Sequence, residues 1–229
     1  MSSHGDLSVL DGLGPSASER PRLPALEMRP LDPPAGRISR AGLVLDLGCI
    51  PVPPRSLALL TGAADGLDEI EAAVVRWSHA RLQALVRCLV AGEVRVTAFR
   101  PDAAGLTGLG PGLTPTGDDL LTGLAAMSRR LVGGGLVEPR AAVAFEKTLA
   151  GLPAEGTTPA AHALLDAASR GTFPVVLADV VEAVGSADAR GDRLRLLAER
   201  LAAIGAHSGN DLLAGALALA TALVEQERA

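Results

Sequence analysis

At 229 residues, with 48% hydrophobic content and a mean hydropathy of +0.30, the chain has enough apolar material for a well-filled core and is not a disordered chain. A net charge of −5, a pI near 5.4 and 2% aromatics with no Tyr supply neither the basic surface nor the stacking platform that nucleic acid requires. Lys147 is the only lysine, which excludes a lysine-centred phosphate loop elsewhere, and Cys49 and Cys88 lack CxxC spacing and His neighbours, so they read as buried reduced thiols.

Residues 1–35 carry prolines, scattered Ser and Gly and no sustained period, and they read as a flexible Pro-rich arm. Residues 36–229 read as a single α+β domain, with 36–100 β-rich around one long helix and 101–229 helical. Arg37 to Leu47 alternates in part and predicts a strand or two; Pro51, Pro53 and Pro54 break it, and Arg55 to Thr61 predicts another short strand. Asp68 to Val90 is the first long helical pattern, with Ile70, Val74, Trp77, Leu82, Leu85 and Leu89 on roughly one face. Gly92 ends it, and Glu93 to Phe99 predicts a strand leading into a glycine-rich loop. Helices are then predicted from Asp118 to about Leu131, Pro139 to about Leu149, Thr157 to Gly171, Pro174 to about Val184, Ala189 to Ile204 and Asn210 to about Gln226. The expected fold class is α+β, mostly α: a small N-terminal β region followed by a helical bundle-like region with two buried helices that start on Gly and Asp. The apolar run from Leu212 to Val224 is too short to span a bilayer, and the first ten residues show no signal-peptide pattern, so a cytoplasmic protein without membrane contact is expected.

One stretch concentrates the chemistry. Gly108 to Gly123 reads Gly-Leu-Gly-Pro-Gly-Leu-Thr-Pro-Thr-Gly-Asp-Asp-Leu-Leu-Thr-Gly, and its glycines and prolines forbid regular structure in its first half. An echo follows 92 positions later, where Ser208-Gly-Asn-Asp-Leu-Leu-Ala-Gly215 matches Thr116-Gly-Asp-Asp-Leu-Leu-Thr-Gly123. Each copy alone also reads as a capping box, with Thr116 or Ser208 as cap and Asp119 or Asp211 reaching back. A cap does not require Gly108, Gly110 and Gly112 ahead of it, whereas a glycine-rich turn before a helix N-terminus gathers backbone N–H groups for an anion. Known phosphate loops do not fit: Asp118 and Asp119 stand where a P-loop needs Lys and Ser/Thr, and Leu113 stands at the third glycine of a dinucleotide fingerprint. Carboxylates beside a bound oxo-anion repel it unless something positive intervenes. Either Asp119 and Asp211 hold Mg²⁺, or they accept hydrogen bonds from N–H groups of a carbamoyl or ureido ligand. His207, next to Ser208, is the best-placed general acid or base, while His162, His79 and His4 lack such context.

The first motif resembles the hallmark of a bacterial family, the AllH-type subunit of oxamate carbamoyltransferase. The run Ile204-Gly-Ala-His-Ser-Gly-Asn-Asp-Leu-Leu-Ala-Gly215 resembles its second motif, and Thr157-Thr158 with the following helix resembles the weaker stretch between. The resemblance implies phosphorolysis of oxalurate to oxamate and carbamoyl phosphate in allantoin-type purine breakdown. It also implies a complex of different subunits, with carbamate kinase using the product. On that reading Asp119, Asp211 and His207 are the catalytic candidates. Gly110, Gly112, Thr114, Thr116, Gly117, Asp118, Ser208, Gly209 and Asn210 would bind a small anionic substrate. No metal-ligand set is assigned, and the cofactor is left open with Mg²⁺ as the candidate. Two other readings stand beside it: a non-catalytic metabolite-binding or scaffolding subunit, and a Mg²⁺-dependent hydrolase using Asp119 and Asp211.

Overall fold

Two helices that begin on the matching motifs form the centre of the protein. The computed structural model describes residues 27–32, 34, 36–186 and 191–226, and among them ten α-helices and one two-stranded sheet. The helices are α1 (Arg40–Cys49), α2 (Pro54–Thr61), α3 (Glu69–Val90), α4 (Val96–Leu106), α5 (Thr116–Gly133), α6 (Pro139–Ala150), α7 (Pro159–Ser169), α8 (Val175–Ala183), α9 (Gly191–Ala202) and α10 (Ser208–Glu225). Strands β1 (Met28–Pro30) and β2 (Thr172–Pro174) pair antiparallel, with Arg29 opposite Phe173. No described helix is long and apolar enough to cross a membrane.

A helix that is apolar on every side must be surrounded by others. That holds for α5, which is buried from Thr116 through Ser128, and for α10, buried from Asp211 through Ala220. The two pack lengthwise on each other; α1, α2, α3 and α9 flank α10, while α4, α6, α7 and α8 flank α5. Close approach is set by glycine. A Cβ on Gly123 would lie 2.1 Å from the Leu212 carbonyl oxygen, and one on Gly215 would lie 2.2 Å from that of Leu120. Gly117 and Gly209 repeat the device at the helix starts, where a Cβ would lie 1.8 Å from the carbonyl oxygens of Leu106 and Leu201, respectively. Residues equivalent in the 92-residue echo thus make each other's contacts, the signature of a local twofold axis.

The mostly helical fold class and the two buried Gly/Asp-started helices are as expected; the position of the β structure is not. Residues 36–100 contain no strand, and the strands predicted at Arg37–Leu47, Arg55–Thr61 and Glu93–Phe99 are α1, α2 and the start of α4. Local chemistry explains the difference. Ser39 Oγ caps α1 by accepting from the Gly42 N–H, and Pro54 opens α2 at a first-turn position, where its missing N–H costs nothing. On α3 the buried face runs through Val75, Ser78, Leu82, Leu85 and Leu89. Ile70 and Trp77 are exposed, Trp77 lying 4.2 Å beneath the Arg81 guanidinium. Both cysteines are free, but Cys49 is exposed and Cys88 half-buried, so neither is a fully buried thiol.

The sheet that does exist uses the end of the expected arm, whose residues 1–26, 33 and 35 lie outside the described ones. Arg29 fastens β1 to α8 through Asp179 at 2.9 Å and Glu182 at 2.5 Å. Arg130, buried in α5, donates to the Val184 and Glu182 carbonyls at 3.0 and 2.6 Å. It thereby closes the C-terminal end of α8, where a cation is favoured.

Candidate functional site

The loop between α4 and α5 is built to bring polar groups to the start of α5. Gly108, Gly110 and Gly112 have φ of 73°, 110° and 104°, a region closed to most side chains. Gly110 also packs against Thr116, and Gly112 faces open space. Among the described residues, the N–H groups of Gly110 and Gly112 have no partner. Two threonines at the head of α7 hold the loop in place: Thr157 Oγ1 donates to Asp118 Oδ2 at 2.7 Å, and Thr158 Oγ1 donates to the Leu113 carbonyl while accepting from the Ala161 N–H. Asp118 Oδ2 also accepts from the Gly108 N–H at 3.0 Å. Burial raises the Asp118 carboxyl, and these two bonds oppose the rise. Asp118 is therefore engaged in fixing the loop.

The second loop meets the first directly, since Thr114 Oγ1 and Ser208 Oγ are hydrogen-bonded at 2.7 Å. Below them lie Asp119 and Asp211, each 1% exposed. Their surroundings differ. Arg55, on α2, binds Asp211 through Nε to Oδ1 at 2.7 Å and through Nη2 to Oδ2 at 3.1 Å, and the same Nη2 donates to Thr116 Oγ1 at 2.9 Å. Among the described residues, no group bonds either oxygen of Asp119. Burial pushes its carboxyl up to about 8, with the Asp211 and Asp118 charges adding to the rise; the nearby Ser208 and Thr114 hydroxyls moderate it without reaching bonding geometry. At neutral pH Asp119 is mostly a neutral acid, and Asp211 is matched by Arg55.

The other sequence candidates are distributed as follows. Thr116 and Ser208 are the first residues of their helices; neither is a cap, the N-cap positions falling to Pro115 and His207 without side-chain bonds. The capping-box alternative is thereby overturned, because the helix start places the hydroxyls one residue inside. The N–H groups of Gly117 and Gly209 donate to the Leu109 and Ile204 carbonyls, so they are not available to a ligand. Asn210 Oδ1 is buried without a partner, while its backbone carbonyl accepts from Ser56 Oγ at 2.8 Å. His207 is exposed and forms no side-chain bond to the carboxylates. Arg55 is the residue that sequence reasoning misses. The signal available was electrostatic, since two carboxylates approaching an anion site demand a cation, but nothing in the sequence pairs Arg55 with a residue 156 positions away.

Asp119 and Asp211 are not free to share Mg²⁺ as a pair. Both oxygens of Asp211 are taken by Arg55, and among the described residues no three His, Cys, Asp or Glu side chains converge as a metal site.

A family model described as oxamate carbamoyltransferase subunit AllH matches residues 106–220, from the end of α4 into α10. No curated protein and no solved structure matches the chain.

Proposed function

The chain belongs to the oxamate carbamoyltransferase subunit AllH family, and from that premise we propose that it binds a ureido substrate and phosphate between the starts of α5 and α10. The observation that carries the reading is Asp119: a buried carboxyl with no partner among the described residues, beside two hydroxyls and at the meeting of the two matching loops. A buried polar group left unpaired is costly, and a ligand that completes its bonds removes that cost.

The electrostatics support an anion here. Arg55 neutralises Asp211, and burial keeps Asp119 uncharged, so the cluster opposes phosphate far less than its two carboxylates suggest. The unpartnered N–H groups of Gly110 and Gly112 are the donors for phosphate, with Thr114 and Ser208 adding hydroxyls. In the reaction, a phosphate oxygen attacks the carbamoyl carbon of oxalurate. The bond from that carbon to the oxamate nitrogen breaks, and the departing nitrogen receives the proton that the phosphate brought. The chain's contribution is to hold the two reactants together at this junction. Other subunits of the complex are the expected partners.

A thermal-shift panel of phosphate, carbamoyl phosphate, oxamate and oxalurate, run on the chain alone and with co-purified partners, tests the reading. Stabilisation by oxalurate that deepens with phosphate is expected, and silence on all four would sink it. A subunit that binds without taking part in turnover would give the same shifts, but Asp119→Leu would then leave carbamoyl phosphate formation by the assembled enzyme intact.

A further inference from the structure

The local twofold relates more than the packing of α5 and α10. The 92-residue offset makes Asp211 the image of Asp119 and Ser208 the image of Thr116. On one side of the axis the Arg55 guanidinium donates to a carboxylate and a hydroxyl: both oxygens of Asp211, and Thr116 Oγ1. The image of that triad is Asp119 Oδ1, Asp119 Oδ2 and Ser208 Oγ. There, among the described residues, no group bonds either Asp119 oxygen, although the side chain is 1% exposed. Arg55 comes from α2, outside the repeated motif, so among the described residues one half of a symmetric arrangement is completed and the other has no matching donor.

We propose that the Asp119–Ser208 half binds the carbamoyl edge of the ligand, its N–H and C=O side by side, where the local twofold would put a copy of the Arg55 guanidinium. The proposal rests on the two loops forming a ureido site, and adds to it the partner atoms and the chemical edge recognised. A guanidinium and a carbamoyl group are both planar, and each meets a carboxyl through two parallel bonds in one plane. The difference lies in the proton. A guanidinium offers two donors and requires two acceptors, the arrangement seen at Asp211. A carbamoyl edge offers one donor and one acceptor and requires a neutral acid, which donates to the C=O while accepting from the N–H.

The charged groups around Asp119 favour the neutral form. Asp211 facing it from α10 and Asp118 from its own helix both raise its carboxyl, while Arg55 on α2 is spent on Asp211. A neutral acid that donates to a carbonyl oxygen also stabilises the negative charge that oxygen gains when phosphate attacks the carbon, so this contact is catalytic as well as selective. A site of this kind rejects analogues that lack the N–H, because its own acceptor is then left unpaired.

Amide and guanidinium fragments separate the possibilities without phosphate. N-methylurea and methylguanidinium are titrated into the full chain by NMR between pH 6 and 10, with the wild type, Asp119→Asn, Asp119→Leu and Ser208→Ala. N-methylurea should bind the wild type and weaken roughly tenfold per pH unit once Asp119 ionises. Asp119→Asn, whose amide presents the same donor and acceptor, should keep binding within about threefold and lose the pH dependence. Asp119→Leu should weaken binding at least tenfold, and Ser208→Ala by a smaller factor. Binding that strengthens with pH, binding lost equally in Asn and Leu, preference for methylguanidinium below pH 7, or no binding of N-methylurea would each overturn the proposal. If N-methylurea behaves as expected while oxalurate and phosphate remain inert, the phosphorolysis reading fails and the carbamoyl-edge assignment stands.

Discussion

Asp119 and Asp211 hold equivalent places in two matching helix starts, yet Arg55 grips both oxygens of Asp211 while no described group bonds Asp119. Closely matching local sequence therefore gives two different electrostatic settings, and the difference comes from α2. Each has consequences that can be measured.

Arg55→Ala should be strongly destabilising. It strands the Asp211 carboxylate, buried and unpaired, at a cost of about 3–5 kcal/mol. The double variant Arg55→Ala/Asp211→Asn should recover much of that loss, because no charge is left stranded. Urea denaturation of the four-member cycle reads this directly. Equal losses in the single and double variants would mean that Arg55 acts through packing alone.

Stability should also depend on pH through Asp119. Its folded carboxyl titrates near 8, above the ordinary value of 3.8, so between those values the native state keeps a proton that the unfolded state releases. The wild type should then lose stability relative to Asp119→Asn as pH rises from about 4 to about 8, by at most about 1.4 kcal/mol per unit, and level off above. Parallel denaturation series for the two proteins would refute the raised value if the difference between them stayed flat.

Gly123→Ala and Gly215→Ala should cost similar amounts, about 1–3 kcal/mol or more, since each adds a Cβ against a backbone carbonyl of the opposite helix. Backbone cannot swing aside as a long side chain does, so α5 and α10 must separate. Thermal melts showing one substitution harmless and the other severe would argue against the local twofold.

Thr157→Val removes one of the two donors that hold Asp118 Oδ2, at a cost of about 1–2 kcal/mol. The loss should be local. Amide hydrogen exchange should quicken across residues 108–114, with α5 and α10 still protected. Uniform exchange throughout the chain would place Thr157 in the global core instead.

Much of the helical half was legible because punctuation and period agreed there. Pro139 opens α6, Gly151 follows its end, and Thr158 caps α7 ahead of Pro159. The first hundred residues misled because alternation in short, β-branched segments outweighed quieter helix signals: the Ser39 cap, and Pro54 just inside the start of α2. The candidate site divides in the same way. Asp119, Asp211, Thr114 and Ser208 are brought together as the paired motifs implied, whereas Asp118, Gly117 and Gly209 are occupied in holding the backbone. Those roles depend on partners in other elements, which no local pattern encodes. Arg55 is the extreme case, hidden because its partner is set by the docking of α10 on α2.

The reciprocal seating of Gly123 and Gly215 also bears on how the chain folds. Contacts between segments about ninety residues apart carry a loop-closure cost that contacts within one helix do not, so they are expected to form after the local helices. A nascent chain that has not yet released α10 would have Asp119 open to water, with an ordinary carboxylate and no neighbouring Ser208. Ligand affinity would then be acquired in one late step, when the last described helix docks, and its appearance during refolding would time that docking.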